Sequence, residues 1–182
     1  MARLPYADIE NAPASIREVV DRNPVSFLRM LAHAESAFDS WLQYTATLLT
    51  QLEVDPILRE FAILQVSHLV DSEYQWVQHA AIARAVGATS EQIAAIRDGG
   101  EDDPCLSDIQ REVLGFARAV TVEGAASEQD LAALAGRLGP RQVVELLLVI
   151  GHWLAITRLV ATTDLRPDLP NMAGALPGGL GG

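Results

Sequence analysis

The chain has 182 residues, 13 Lys+Arg against 24 Asp+Glu for a net charge of -11, and a single cysteine, Cys105. That length suits one domain with a sizeable core. The acidic surface repels phosphate backbones and excludes nucleic acid as a general partner. One cysteine excludes an intramolecular disulfide, a C-x-x-C redox centre and a cysteine-rich metal site.

In chain order the pattern is helical throughout, with no long alternating stretch to suggest a strand. Pro13 to Asp21 reads as a short helix broken at Asn23-Pro24, and apolar residues from Phe27 to Leu49 continue at helical spacing. Asp55-Pro56 supplies an N-cap and a first-turn proline for a helix to about Val70. Asp71 or Ser72 opens the next helix, which stops at Gly87. A short helix over Thr89 to Ile96 precedes an acidic segment, Glu101-Asp102-Asp103-Pro104, read as a solvated loop. Ser107 to Val122, Ser127 to Leu138 and Pro140 to about Thr162 complete the helices. The expected division is an N-terminal extension over 1–24, a helical domain over 25–165 and a Pro/Gly-rich tail over 166–182. Met1 to Ile16 lacks a signal-peptide pattern, and the apolar run Val143 to Val160 carries Glu145, His152 and Arg158. The expectation is therefore a cytoplasmic protein with no membrane span.

An internal echo is present. Ile57-Leu58-Arg59-Glu60 and Ile109-Gln110-Arg111-Glu112 share I-x-R-E, and each Glu precedes a glycine (Gly87, Gly139) by 27 residues. Duplication of a helical hairpin would produce this, and so would chance.

Ser72, Gln75, Trp76, His79 and Ala83 share one helical face, as do Glu60, Ile63, Leu64 and Ser67 on the preceding helix. A hairpin turn near Val70-Asp71 brings Glu60 toward the His79 stripe. A carboxylate beside an imidazole favours the charged imidazolium, a proton donor near neutral pH. Glu60, His68, His79 and His152 contain no H-x-x-x-H or E-x-x-H pair within one helix, so no metal is expected.

These residues carry a family resemblance. Arg59-Glu60-Phe61-Ala62-Ile63-Leu64, then Glu73-Tyr74-Gln75-Trp76-Val77-Gln78-His79, and then Gly87-Ala88-Thr89-Ser90-Glu91-Gln92-Ile93 resemble the motifs of the carboxymuconolactone decarboxylase family over roughly residues 25 to 162. The resemblance implies an all-α, alkylhydroperoxidase D-like bundle of helical hairpins, forming a homo-oligomer (dimer, trimer or hexamer). In the redox branch of that superfamily a C-x-x-C pair opens the motif helix; here its positions fall on Ser72 and Gln75, so that peroxidase cycle is excluded. The non-redox branch implies cofactor-free decarboxylation of a small carboxylated lactone, or proton transfer on a related organic acid. His79 would be the general acid/base, oriented by Glu60.

Tyr74, Trp76, Ser72, Gln75, Arg59 and His152 are the expected substrate-binding residues. Arg59 would anchor a carboxylate, although its position next to Glu60 points it away from that residue. This chain departs from the dedicated decarboxylase in its two terminal additions, and in placing His152 where relatives often have Tyr. Isomerisation, cyclisation or hydration of another intermediate, and a non-catalytic binding protein of the same fold, are the alternatives. Packing around Glu60 with no cavity would mark the latter. An open pocket with Glu60 and His79 within hydrogen-bonding reach would mark an enzyme.

Overall fold

The computed structural model describes residues 2–167 and is all-helical over them. The expected tail over 166–182 lies almost wholly outside the described residues. The helices are α1 (Ala14–Arg22), α2 (Ser26–Leu31), α3 (Glu35–Thr50), α4 (Pro56–Leu69), α5 (Glu73–Ala85), α6 (Ser90–Arg97), α7 (Asp108–Val122) and α8 (Glu128–Thr163).

Helix α4 is the axis of the molecule. Asp55 caps it, its side chain accepting from the amides of Ile57 (2.8 Å) and Leu58 (3.3 Å), with Pro56 in the first turn. Ten consecutive residues, Leu58 to Ser67, are buried, because α5, α6, α7 and α8 all pack around this helix. A helix enclosed on every side has no solvent face to take its polar side chains, so Arg59, Glu60, Gln65 and Ser67 must find partners inside.

The lead-in to α4 is held from a distance. The buried carboxylate of Glu145 on α8 accepts from the amides of Glu53 and Val54, both at 2.9 Å. Arg141 in turn bonds Glu145 Oε1 (3.2 Å) and Glu53 Oε1 (2.5 Å).

The turn from α4 to α5 is tight. Asp71 adopts a left-handed conformation (φ 51°), tolerated by Asp better than by most residues, and the Ser72 amide donates to the Ser67 carbonyl at 2.8 Å. Ser72 occupies the N-cap position of α5 but its side chain makes no capping bond; the turn is made by backbone and Asp71. A true capping box opens α6, where Thr89 and Gln92 exchange side-chain to backbone bonds.

Two local expectations are corrected. The helix expected to run from Phe27 to Leu49 breaks at residues 32–34, although no Gly or Pro marks the spot. The His33 ring there bonds the Pro5 carbonyl (2.8 Å), a contact from the N-terminal strap that local sequence does not encode. The acidic segment is only partly solvated: Glu101 accepts from Gln65 Nε2 (2.5 Å) and pairs with Arg118 (3.1 Å).

The last two expected helices form one element, α8, broken at Gly139 (φ 80°, ψ 158°), where the positive φ requires glycine and Pro140 starts the second half. By length and composition α8 could cross a membrane. However, 56% of its most apolar window is buried in the protein, as in a core helix. The 1–24 segment contributes Ile16 and Val20 to the same core as α8.

Candidate active site

Glu60 lies roughly 14 Å before the end of α4 and His79 roughly 9 Å past the start of α5 at 1.5 Å per residue, so the hairpin brings them to neighbouring levels. Glu60 Oε2 accepts from His79 Nδ1 at 2.7 Å, with both side chains buried. The other carboxylate oxygen, Oε1, takes Arg59 Nε and Nη2, both at 3.0 Å. Arg59 Nη1 donates to the Leu49 carbonyl at 2.6 Å. Arg59 is thus spent on Glu60 and α3, correcting the expectation that it points elsewhere and anchors a substrate carboxylate. With α4 enclosed, its guanidinium curls back onto the adjacent buried carboxylate.

The fourth member is Trp153 on α8, whose Nε1–H donates to His79 Nε2 at 2.6 Å, the rings meeting edge to face. Indole is a donor only. His79 Nε2 must therefore be an acceptor, which puts the ring proton on Nδ1, toward Glu60. An imidazolium would set an N–H against the Trp153 N–H. This corrects the expected proton donor: the arrangement holds a neutral imidazole whose basic Nε2 faces Trp153.

His79 lines a cavity of about 30 Å³, together with Phe27, Trp41, Thr45 and Leu49 from α2 and α3, Tyr74, Gln75, Gln78 and Ile82 from α5, and Trp153 and Ile156 from α8. Among the described residues, no Lys, Arg, Asp or Glu lines it. Trp41 is the one partly exposed wall. The volume is close to that of a water site.

Behind the pocket, Thr45 Oγ1 donates to the Trp41 carbonyl (2.9 Å), so His152 Nε2–H donates to Thr45 Oγ1 (2.9 Å). His152 sits among the rings of Trp41 (4.7 Å), Tyr44 and Trp153 (both 5.1 Å). Burial pulls this imidazole down from 6.5 to about 4, so it is neutral at neutral pH.

Residues 35–119 match the model of the carboxymuconolactone decarboxylase family. Over that segment the chain resembles the family. The fold is alkylhydroperoxidase D-like. An uncharacterized peroxidase-related protein from Ralstonia eutropha JMP134, described as an alkylhydroperoxidase AhpD core, superposes with a TM-score of 0.78 at 21% identity over 92% of this chain and 93% of that one. An uncharacterized peroxidase-related protein from Silicibacter sp. TM1040 gives 0.78 at 19% identity, covering 92% of each chain. A protein of unknown function from Agrobacterium tumefaciens, described as a putative antioxidant defence protein AhpD, gives 0.67 at 16% identity over 73% of this chain and 91% of that one. Among proteins of curated function, none matches the chain.

Within the family motif the expected site residues divide. Glu60 and His79 are bonded across the hairpin, and Tyr74 and Gln75 line the pocket. Trp76 faces the second apolar cluster with α6, and the Arg97 guanidinium lies 4.6 Å from its ring centroid, so it is absent from the pocket wall. Ser72 borders a separate hollow at the other end of α5. His152 backs the pocket through Thr45 and Trp153 without lining it. Cys105 precedes α7, remote from the cavity, and its hydrogen bond with Asp103 pushes the thiol up, away from the reactive thiolate.

Sequence reasoning missed Trp153, Trp41, Thr45 and Gln78. Gln78 stood inside the motif beside His79, and its place next to the stripe was the available signal. The others come from α3 and α8, whose register against α5 no local pattern reveals.

Proposed function

We propose that the protein is a cofactor-free acid–base catalyst acting on a small organic acid or lactone, with His79 Nε2 exchanging the proton and Glu60 holding the ring. The supporting observation is the buried Glu60–His79 bond of 2.7 Å, with His79 lining a pocket that carries no Lys, Arg, Asp or Glu among the described residues. Arg59 serves as a positioning residue, fixing the Glu60 carboxylate.

For decarboxylation, a carboxyl group enters a cation-free pocket best as the neutral acid. Its O–H replaces the Trp153 N–H on His79 Nε2. As carbon dioxide leaves, the acid proton passes to Nε2 and the electrons of the breaking C–C bond flow into the conjugated lactone carbonyl. Nε2 then returns that proton to the carbon, so no external proton or cofactor is consumed. The resting cavity is water-sized, so substrate admission widens it, with the partly exposed Trp41 as the wall that gives way.

A second reading, isomerisation of an uncharged carbonyl compound, is favoured by the same neutral imidazole, which is a base before any proton is supplied. In both readings the protein is cytoplasmic and homo-oligomeric. The half-exposed Val144, Leu147 and Leu148 on the outer face of α8 support the assembly.

The test is ultraviolet-monitored turnover of γ-carboxymuconolactone by wild type and His79→Gln. The decarboxylase reading expects turnover that falls at least 100-fold in the variant. Absence of turnover in the wild type would remove that reaction, and equal turnover in both would remove His79 from it.

A further inference from the structure

Among the described residues, one fully buried side-chain donor of the pocket-lining residues is unpaired. Gln78 is 5% exposed, lines the cavity beside His79, and its Nε2 has no hydrogen-bond partner among the described residues. Three neighbouring polar side chains are engaged: Thr45 bonds Trp41 and His152, Trp153 bonds His79, and both His79 nitrogens are occupied. A buried amide N–H₂ without an acceptor is a standing cost that only an incoming acceptor removes.

We propose that Gln78 is the specificity residue of this pocket and that its Nε2–H receives the carbonyl oxygen of the ligand. The assigned ligand class is small carbonyl compounds (ketones, esters or lactones) that are uncharged when bound. The reasoning is by elimination of the other acceptors. A carboxylate would meet no cation, since Arg59 lies behind Glu60, and its desolvation would go uncompensated. A hydrocarbon of the same shape would leave the amide unpaired. A carbonyl oxygen satisfies it, with the apolar body of the ligand against the rings of Trp41, Tyr74 and Trp153.

This inference rests on the proposed acid–base reading and completes it. His79 and Gln78 are adjacent on α5 and line one cavity, one carrying the proton acceptor and the other a donor for the oxygen on which negative charge grows during enolisation or loss of carbon dioxide.

The test uses the fluorescence of Trp41 and Trp153, which line the pocket, titrated with cyclopentanone and with methylenecyclopentane, its hydrocarbon counterpart. Wild type is expected to bind the ketone roughly 5-fold tighter than the hydrocarbon, the worth of one neutral hydrogen bond. Gln78→Leu is expected to erase that preference while still binding the hydrocarbon. Gln78→Met, of closer shape and equally without a donor, gives the same result if the leucine variant misfolds by circular dichroism. A preference that survives in either folded variant overturns the proposal. So does a wild type that shows no preference or binds neither probe. His79→Gln separates this inference from the catalytic reading: it retains the ketone preference whether or not its turnover is lost, so failure of the catalytic role leaves the Gln78 result standing.

Discussion

The α4–α5 and α7–α8 hairpins begin on the same tetrapeptide pattern, and each is followed 27 residues after its Glu by a glycine at positive φ, Gly87 at 109° and Gly139 at 80°. Their Arg-Glu pairs have opposite fates. Arg59 and Glu60 are 4% and 0% exposed, bonded to each other and, through Glu60, to an imidazole. Arg111 turns to Asp108 at 2.6 Å on its own helix, and Glu112 pairs with Arg137 at 2.7 Å, all at the half-exposed rim. Burial makes the difference. The α4 helix is enclosed over ten residues, while α7 buries Val113, Leu114, Phe116 and Ala117 and leaves its polar side to water. An ion pair in water is a surface decoration; the same pair in a dry core fixes the proton of a histidine.

That contrast has measurable consequences. Glu60→Gln removes the anion from a buried guanidinium and is expected to cost about 3–5 kcal/mol in urea unfolding, whereas Glu112→Gln should cost less than about 1 kcal/mol. Similar costs at the two positions would break the comparison. Trp153→Phe deletes the N–H on His79 Nε2. It should lower stability by about 1–3 kcal/mol through lost packing and a lost hydrogen bond, and speed carbethoxylation of His79 by diethyl pyrocarbonate. An unchanged modification rate would show that the indole does not mask the ring.

His152 sharpens the comparison from the α8 side. It is held at about 4 by burial, so as pH falls from 6.5 the unfolded chain takes up a proton that the folded chain refuses. Stability is therefore lost on acidification through that window, by about 2 kcal/mol at pH 5 from this group alone. His152→Gln should show a correspondingly smaller drop between pH 7 and pH 5; an identical drop would assign the acid sensitivity elsewhere. The smallest effect is expected at the rim, where Arg137→Ala should shift the unfolding midpoint by the equivalent of about 0.5 kcal/mol.

Much of this was legible in the chain. Asp55-Pro56, Thr89 with Gln92, and the Gly139-Pro140 break follow from local chemistry, and the approach of Glu60 to His79 follows from folding α4 and α5 back as a hairpin. What the sequence hid are contacts between residues far apart in the chain. Trp153 reaches His79 across 74 residues, and Glu145 fixes the amides of Glu53 and Val54 from 92 and 91 residues away. The inward curl of Arg59 was hidden for a related reason. Helical spacing sets adjacent side chains apart, and only enclosure of α4 by its neighbours makes the adjacent carboxylate the partner.

The central claim is that burial of the Arg59–Glu60 pair holds His79 as a neutral ring with its proton on Nδ1 and Nε2 accepting from Trp153. Long-range ¹H–¹⁵N correlation of the histidine side chains at neutral pH reads this directly. The account predicts a protonated, pyrrole-type Nδ1 and an unprotonated, pyridine-type Nε2 for His79, with loss of that pattern in Glu60→Gln. A ring protonated on both nitrogens, or on Nε2 alone, would contradict it.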